Sequence, residues 1–112
     1  GLEKDWTPYP VLHFSLSRNR IIREKDIQLL LDDLLLRYEK IYGDRINDRE
    51  AYGLRLGNLI ENASDKTGKN VVLLIDEYDA PLLDTMHDNT LFTQVRQLLR
   101  DFLVPSKIWI QN

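Results

Sequence analysis

The sequence predicts an α/β fold in which a short parallel sheet is flanked by helices. Three apolar segments have the length and composition of strands, near residues 10–16, 71–76 and 107–111. The stretches between them carry helical periodicity and are long enough for the crossover connections that parallel strands need. At 112 residues with 43% hydrophobic side chains, the chain can bury one core.

The first strand is predicted near residues 10–16, where Pro8 and Pro10 introduce it. Proline is tolerated at the start of a strand but not in its middle. The apolar side chains from Val11 to Leu16 are nearly continuous, which is typical of a strand covered on both faces. His13 lies within this run and is interpreted as a hydrogen-bonded core histidine, not as a ligand or base.

Two helices are predicted between the first and second strands. The first covers about residues 25–42 and should end at Gly43 in the left-handed cap conformation. The second covers about residues 48–66, with Asp48 as N-cap, and should end at Gly68.

Gly53 and Gly57 lie inside this second helix, where each costs about 1 kcal/mol relative to alanine. Their spacing leaves two interpretations open. Either they permit a close approach of a neighbouring backbone, or they simply weaken the helix.

The segment Val71–Ile75 is rich in β-branched residues and uninterrupted in its apolarity, as expected for a central parallel strand buried on both faces. A short helix is predicted near Pro81 and a longer one over about residues 90–103, which Pro105 should end. The segment 107–111 is the predicted third strand.

Composition excludes several classes of function. The chain has no cysteine, so disulfide scaffolds and thiolate chemistry are excluded. A net charge of −3 and the weak basic cluster Arg18, Arg20 and Arg23 do not indicate nucleic-acid binding. No apolar run is long enough for a signal peptide or a membrane span, so we expect a cytoplasmic chain with no membrane partner. Because it begins at Gly1, we expect an excised piece of a longer protein.

Asp76 and Glu77 follow the central strand directly, at the edge of the sheet where α/β proteins bind ligands. Several apolar residues followed by Asp-Glu form the Walker B pattern, in which the first carboxylate faces Mg²⁺ and the second orients or deprotonates water. The alternative is that both acids simply favour the start of the next helix. Asp79 is open to the same alternative as an N-cap.

The run Val71–Leu82 closely resembles the Walker B region of the AAA-ATPase-like family, P-loop proteins often linked to a PD-(D/E)XK nuclease-like domain. Tyr9–Ser15 resembles the second strand of that family, Lys66–Lys69 its turn before Walker B, and Arg100–Phe102 the following helix. The resemblance covers nearly the whole chain and is most specific over Ile75–Pro81.

The resemblance implies that residues 1–112 are a partial, three-layer P-loop NTPase-like domain containing the second to fourth strands. The sheet order would be first, fourth, third, second, with the first strand and its phosphate-binding loop absent. Gly68 and Lys69 do not supply that loop, because Asn70 replaces the hydroxyl residue and the segment enters a strand instead of leaving one.

The same resemblance implies site residues. Glu77 would be the catalytic base, Asp76 the metal and nucleotide ligand, and Asp79 and Asn112 further nucleotide contacts, Asn112 as a sensor of the γ-phosphate. Mg²⁺ and ATP are expected as ligands of the longer parent protein, and none is expected for the isolated chain. Arg96 and Arg100 share a helix face and are either phosphate sensors or solvated residues.

Two further classes of function are alternatives to an ATPase. One is a degenerate or excised protein-interaction domain without catalysis. The other is a nuclease, which is excluded because no acidic residue has lysine two positions later. The expected partners are the missing N-terminal part of the same domain and a second copy, paired through the edge strand at 107–111.

Overall fold

The computed structural model describes residues 9–103 and 109–110. The elements in chain order are β1 (Val11–Ser15), α1 (Glu24–Tyr42), α2 (Tyr52–Thr67), β2 (Val72–Asp76), α3 (Ala80–Asp84), α4 (Asn89–Leu103) and β3 (Trp109–Ile110). The predicted α/β class and the order of strands and helices are therefore confirmed.

All pairings in the described sheet are parallel, and β2 lies in the middle between β1 and β3. Ser15 is paired with Asp76, and Leu74 is paired with Trp109. The sheet order agrees with the predicted one, in which the acidic strand lies between its two neighbours.

Helices α1, α2 and α4 pack on one face of this sheet and form one core with it. The sheet contributes fully or almost fully buried side chains from alternate positions, namely Leu12, Phe14, Leu73 and Ile75. The helices contribute mostly leucines at helical spacing, together with residues such as Ile27, Tyr52, Val95 and Phe102. The described residues thus form the sheet and one helical layer.

The opposite face of the sheet is open in the part of the chain that the structure describes. Val11 is 45% exposed, the His13 side chain is 49% exposed, and Leu74 is half-buried. The prediction that β1 and β2 are buried on both faces is therefore wrong for these residues. The interpretation of His13 as a core histidine is wrong for the same reason, since alternation places it on the open face.

The first long helix agrees with its prediction, but the second begins later than expected. At α1, the Asp26 carboxylate accepts the N–H groups of Ile22 and Arg23, at 2.9 and 3.0 Å. Asp48 does not cap α2, which begins at Tyr52. Its carboxylate instead accepts the N–H of Glu50 at 3.0 Å, so it stabilises the turn before the helix.

The glycines at the helix ends differ from each other. Gly68 ends α2 with φ 69° and ψ 19°, the left-handed cap that was predicted. Gly43 also has a positive φ, 97°, but its ψ of 167° lies outside the left-handed helical region. A Cβ at Gly57 would meet nothing within 4 Å, so the close backbone approach is not found there.

Tyr38 of α1 covers the outer edge of β1. Its hydroxyl accepts the backbone N–H of His13 at 3.0 Å and lies 3.3 Å from the carbonyl oxygen of the same residue, to which it can donate. Phe14 packs against the ring, with the centroids 5.7 Å apart. The phenol therefore satisfies, at the centre of β1, backbone groups that a further strand would otherwise bind.

A buried charge network joins α1 to α2. Arg55 is fully buried and donates to both carboxylate oxygens of Glu39, at 3.1 and 2.8 Å, and to Asp32 at 2.7 Å. Arg49 binds Glu39 at 2.8 Å and also pairs with Asp44. Burial alone would lower the pKa of Arg55, but the bonds to Glu39 and Asp32 outweigh it and raise that pKa.

Candidate functional site

Asp76 is the last residue of the middle strand, at the carboxyl edge of the sheet. Its backbone carbonyl accepts the N–H of Leu16 at 3.0 Å, which continues the ladder to the end of the strand. Its side chain is 36% exposed and lies on the open face, because the fully buried Ile75 occupies the other face. The position is the one expected of a carboxylate that meets a ligand at the end of a parallel strand.

The side chain of Asp76 is in contact with His13. The ring Nε2 lies within hydrogen-bonding distance of the carboxylate Oδ2. The register explains the contact, since Ser15 is paired with Asp76 and His13 lies two positions earlier on the same face. A carboxylate oxygen can only accept, so the ring nitrogen donates. The pair was not predicted from the sequence, although a polar His13 between the apolar Leu12 and Phe14 is the alternation that would place its ring on the other face.

Glu77 is exposed and has a φ of 58°, which lies in the left-handed region. This conformation is uncommon for a residue with a side chain and is often found at functional sites. The carbonyl of Glu77 accepts the N–H of Ala80 at 3.0 Å, so the chain turns immediately after the strand. The two acidic residues are therefore adjacent in sequence but differ in backbone conformation.

Asp79 occupies the N-cap position of α3, yet its side chain makes no capping hydrogen bond. Its backbone carbonyl accepts the N–H of Leu83 at 2.9 Å, and the residue is exposed. Tyr78 lies between Glu77 and Asp79 in the sequence and packs against the core. Side-chain capping, the alternative explanation for Asp79, is thus not found.

Arg96 and Arg100 are exposed on α4, where they line a mainly apolar groove of about 340 Å³ with Tyr78 and Leu82. The Arg96 guanidinium lies over the ring of Phe92, 5.9 Å from its centroid. No hydrogen bond or ion pair joins either arginine to Asp76 within residues 9–103.

The remaining candidates lie elsewhere. Asn112, predicted as a nucleotide contact, lies outside the described residues, as do most residues of the predicted strand 107–111. Gly68 and Lys69 precede β2, at the end of the strand away from Asp76, so they form the turn that was predicted.

Asp76 and Glu77, at the carboxyl edge of the sheet, could bind a cation only together with ligands from outside the described residues. In the described ranges there is no cluster of three or more His, Cys, Asp or Glu side chains that could hold a metal ion by themselves. Mg²⁺ prefers oxygen ligands and is usually bound by one or two carboxylates together with phosphates and water. Asp76, with Glu77 beside it, fits that donor set.

Over the same described ranges, no helix has the length and hydropathy needed to cross a bilayer.

The described sheet is parallel, and its middle strand ends at Asp76 with Glu77 directly after it, at the carboxyl edge where open α/β sheets generally bind ligands. The family model of the AAA-ATPase-like proteins, described as "Predicted AAA-ATPase", matches residues 2–111. The chain belongs to this family.

A curated relative is similar over most of the chain. It is described as "Uncharacterized protein in vnfD 5'region", from Azotobacter chroococcum mcd 1, and is 34% identical over 98 residues. The match covers 87% of this chain and 19% of the relative, so the chain spans about a fifth of that protein's length. No solved structure matches the chain.

Proposed function

We propose that this chain contributes the acidic half of a Mg²⁺-dependent ATP-hydrolysing site within a longer protein. The observation that carries the proposal is the position of Asp76 and Glu77, directly at the carboxyl end of the middle parallel strand. Family membership supports ATP as the nucleotide, since the family is one of predicted AAA-ATPases.

Asp76 has the role of the metal-side carboxylate. Its backbone is paired with Ser15 of β1, and its carbonyl accepts the N–H of Leu16, so the side chain extends from a fixed backbone. Bound Mg²⁺ would supply neutralisation of the phosphate charge. The part of Asp76 is to hold that cation, directly or through its water, at a fixed place beside the sheet.

Glu77 has the role of general base. A base must reach the attacking water, and the exposed Glu77 follows the metal-side residue directly. Accepting the proton of that water as its oxygen attacks the γ-phosphorus would give ADP and inorganic phosphate. Because φ of Glu77 is positive, the chain turns away from the direction of β2 at this residue.

The remaining parts of the site are proposed to come from other segments. Asp79 and Asn112 are candidates for further nucleotide contacts. A phosphate-binding loop is expected from the N-terminal part of the same domain, of which residues 1–112 would be the second to fourth strands. Two carboxylates alone repel a polyanion, so the isolated chain should show no binding at millimolar Mg-ATP.

The test uses the full-length polypeptide that contains these residues. Glu77→Gln should keep nucleotide binding but lower kcat by about 100-fold or more, because the amide cannot accept the proton of water. Asp76→Asn should instead weaken Mg²⁺-dependent binding of ATP. Phosphate release and fluorescent-nucleotide binding measure the two effects separately.

Glu61→Gln is the matched control, since Glu61 is an exposed glutamate on α2. It should leave both quantities unchanged. An unchanged rate in Glu77→Gln would contradict the proposal and favour the rival interpretation, a protein-interaction domain without catalysis.

A further inference from the structure

We propose that His13 is a positioning residue for Asp76. Its ring holds one carboxylate oxygen, Oδ2, so that the other oxygen is presented to the hydrated cation. The inference rests on the proposed function and adds to it a residue from a different strand.

Both partners of this contact have a fixed backbone. The N–H and carbonyl of His13 are bound by the Tyr38 hydroxyl, at 3.0 and 3.3 Å. The carbonyl of Asp76 accepts the N–H of Leu16 at 3.0 Å. Because both backbones are held, only side-chain torsions remain free, and the hydrogen bond from the His13 ring restricts those of Asp76.

The chemistry of the pair suits a metal-side carboxylate. A carboxylate has about four lone-pair positions, and one donor from the ring leaves the others available. In the Nε2–H tautomer the ring donates without adding formal charge, whereas lysine or arginine would compete with the cation. Carboxylates that bind metals are generally held by such hydrogen bonds.

The location of the pair argues against a purely structural role. The His13 and Asp76 side chains are 49% and 36% exposed, on the face of the sheet that the core does not use. A contact between groups that are this accessible adds little to folding. It does, however, leave the carboxylate open to a ligand at the edge of the sheet.

The experiment measures binding of Mn²⁺, as a paramagnetic substitute for Mg²⁺, to the full-length polypeptide in the presence of ATP. The electron paramagnetic resonance signal of free Mn²⁺, compared with and without the protein at the same ATP concentration, gives the dissociation constant for the protein without relying on turnover. His13→Ala should weaken Mn²⁺ binding by about tenfold or more, as loss of a hydrogen bond to a metal ligand usually does. His13→Gln should restore binding to within about threefold, because its amide nitrogen can donate from a similar distance.

His87→Ala is the matched control, since His87 is the other of the two histidines and is exposed. It should bind Mn²⁺ as the wild type does, and thermal unfolding should show that all variants are folded. Equal binding by the wild type and His13→Ala, or equal losses in His13→Ala and His13→Gln, would overturn the inference alone. Absence of Mn²⁺ and ATP binding by the wild type would overturn the proposed function and the inference with it.

Discussion

At the scale of single residues, Arg55 is the clearest case of a polar group that the core requires. Its guanidinium is fully buried, and four of its hydrogen bonds go to Glu39, Asp32 and the carbonyl of Arg49. Removing one partner of a buried ion pair leaves an uncompensated charge, which is far more costly than removing both.

Arg55→Met should therefore destabilise the chain by about 3–5 kcal/mol. The double variant Arg55→Met, Glu39→Met should recover part of this loss, because no buried carboxylate remains without its partner. Urea unfolding followed by circular dichroism measures both, with the exposed Arg100→Met as control. A loss below about 1 kcal/mol in Arg55→Met would show that water or Arg49 compensates Glu39.

Individual side chains were the least predictable part of the sequence. The position of Asp76 and Glu77 at the end of a strand could be predicted because an uninterrupted apolar run leads directly to them. The exposure of His13 could not be read from the apolar composition of its segment, because burial alternates along β1 instead of covering both faces. Arg55 lies on the same helical stripe as Tyr52 and Leu59, and a charge there signals a buried partner that one segment alone cannot identify.

At the scale of elements, Gly57 inside α2 and Gly68 at its C-cap distinguish the effect of backbone conformation on stability from the effect of packing. Gly57 lies in the helix interior with open space around the position of a Cβ. Gly57→Ala should therefore stabilise the chain by about 0.5–1 kcal/mol, since alanine restricts the unfolded chain and has a higher helix propensity.

Gly68→Ala is the informative counterpart, because its φ of 69° is strained for any residue with a Cβ. It should destabilise by about 1 kcal/mol although nothing lies within 4 Å of the added atom. The midpoints of urea unfolding compare the two variants directly. If both changed stability in the same direction, the assigned backbone conformations would be wrong.

Boundaries of elements were predicted well where a local signal dominates and poorly where tertiary contacts compete. The end of α2 at Gly68 follows from the residue itself. The beginning of α2 does not, because Asp48 looks like an N-cap in sequence. In the structure, Arg49 reaches Glu39 and Asp44, so residues 48–51 form a turn instead of the first helical turn.

At the scale of the whole molecule, the charges that the fold holds predict its response to acid. Hydrogen bonds from the N–H groups of Ile22 and Arg23 lower the pKa of Asp26. For Asp44, burial opposes ionisation, but bonds from Ile46 and Arg49 outweigh it and lower the pKa. Both groups are therefore more acidic in the folded state than in the unfolded state.

Because these folded-state pKa values are depressed, the stabilisation is present above the unfolded value of about 3.9 and is lost as pH falls through the folded values. We expect the free energy of unfolding to be level near neutral pH and to decrease below about pH 4. Asp26→Asn should reduce that decrease, while Asp65→Asn, at an exposed position, should not. Urea unfolding between pH 7 and pH 3 tests this, and identical profiles for Asp26→Asn and wild type would contradict the assignment.

The overall architecture was the most predictable property of the sequence. Three apolar segments and long helical connections define a parallel α/β sheet without any side-chain detail. The degree to which each face is covered was not predictable, because it depends on which helices pack there. Pairing with a second copy through the strand at 107–111 stays a prediction.

The Tyr38 hydroxyl occupies backbone groups at the outer edge of β1 that a further strand would need for pairing. An incoming strand that approached β1 would have to displace the phenol from the N–H and carbonyl of His13 before it could form a continuous ladder. Tyr38 thus hinders the pairing of another strand with β1, at an edge that also carries the exposed apolar residue Val11. In the part of the chain that the structure describes, we therefore expect the addition of a further strand to be disfavoured at the β1 edge.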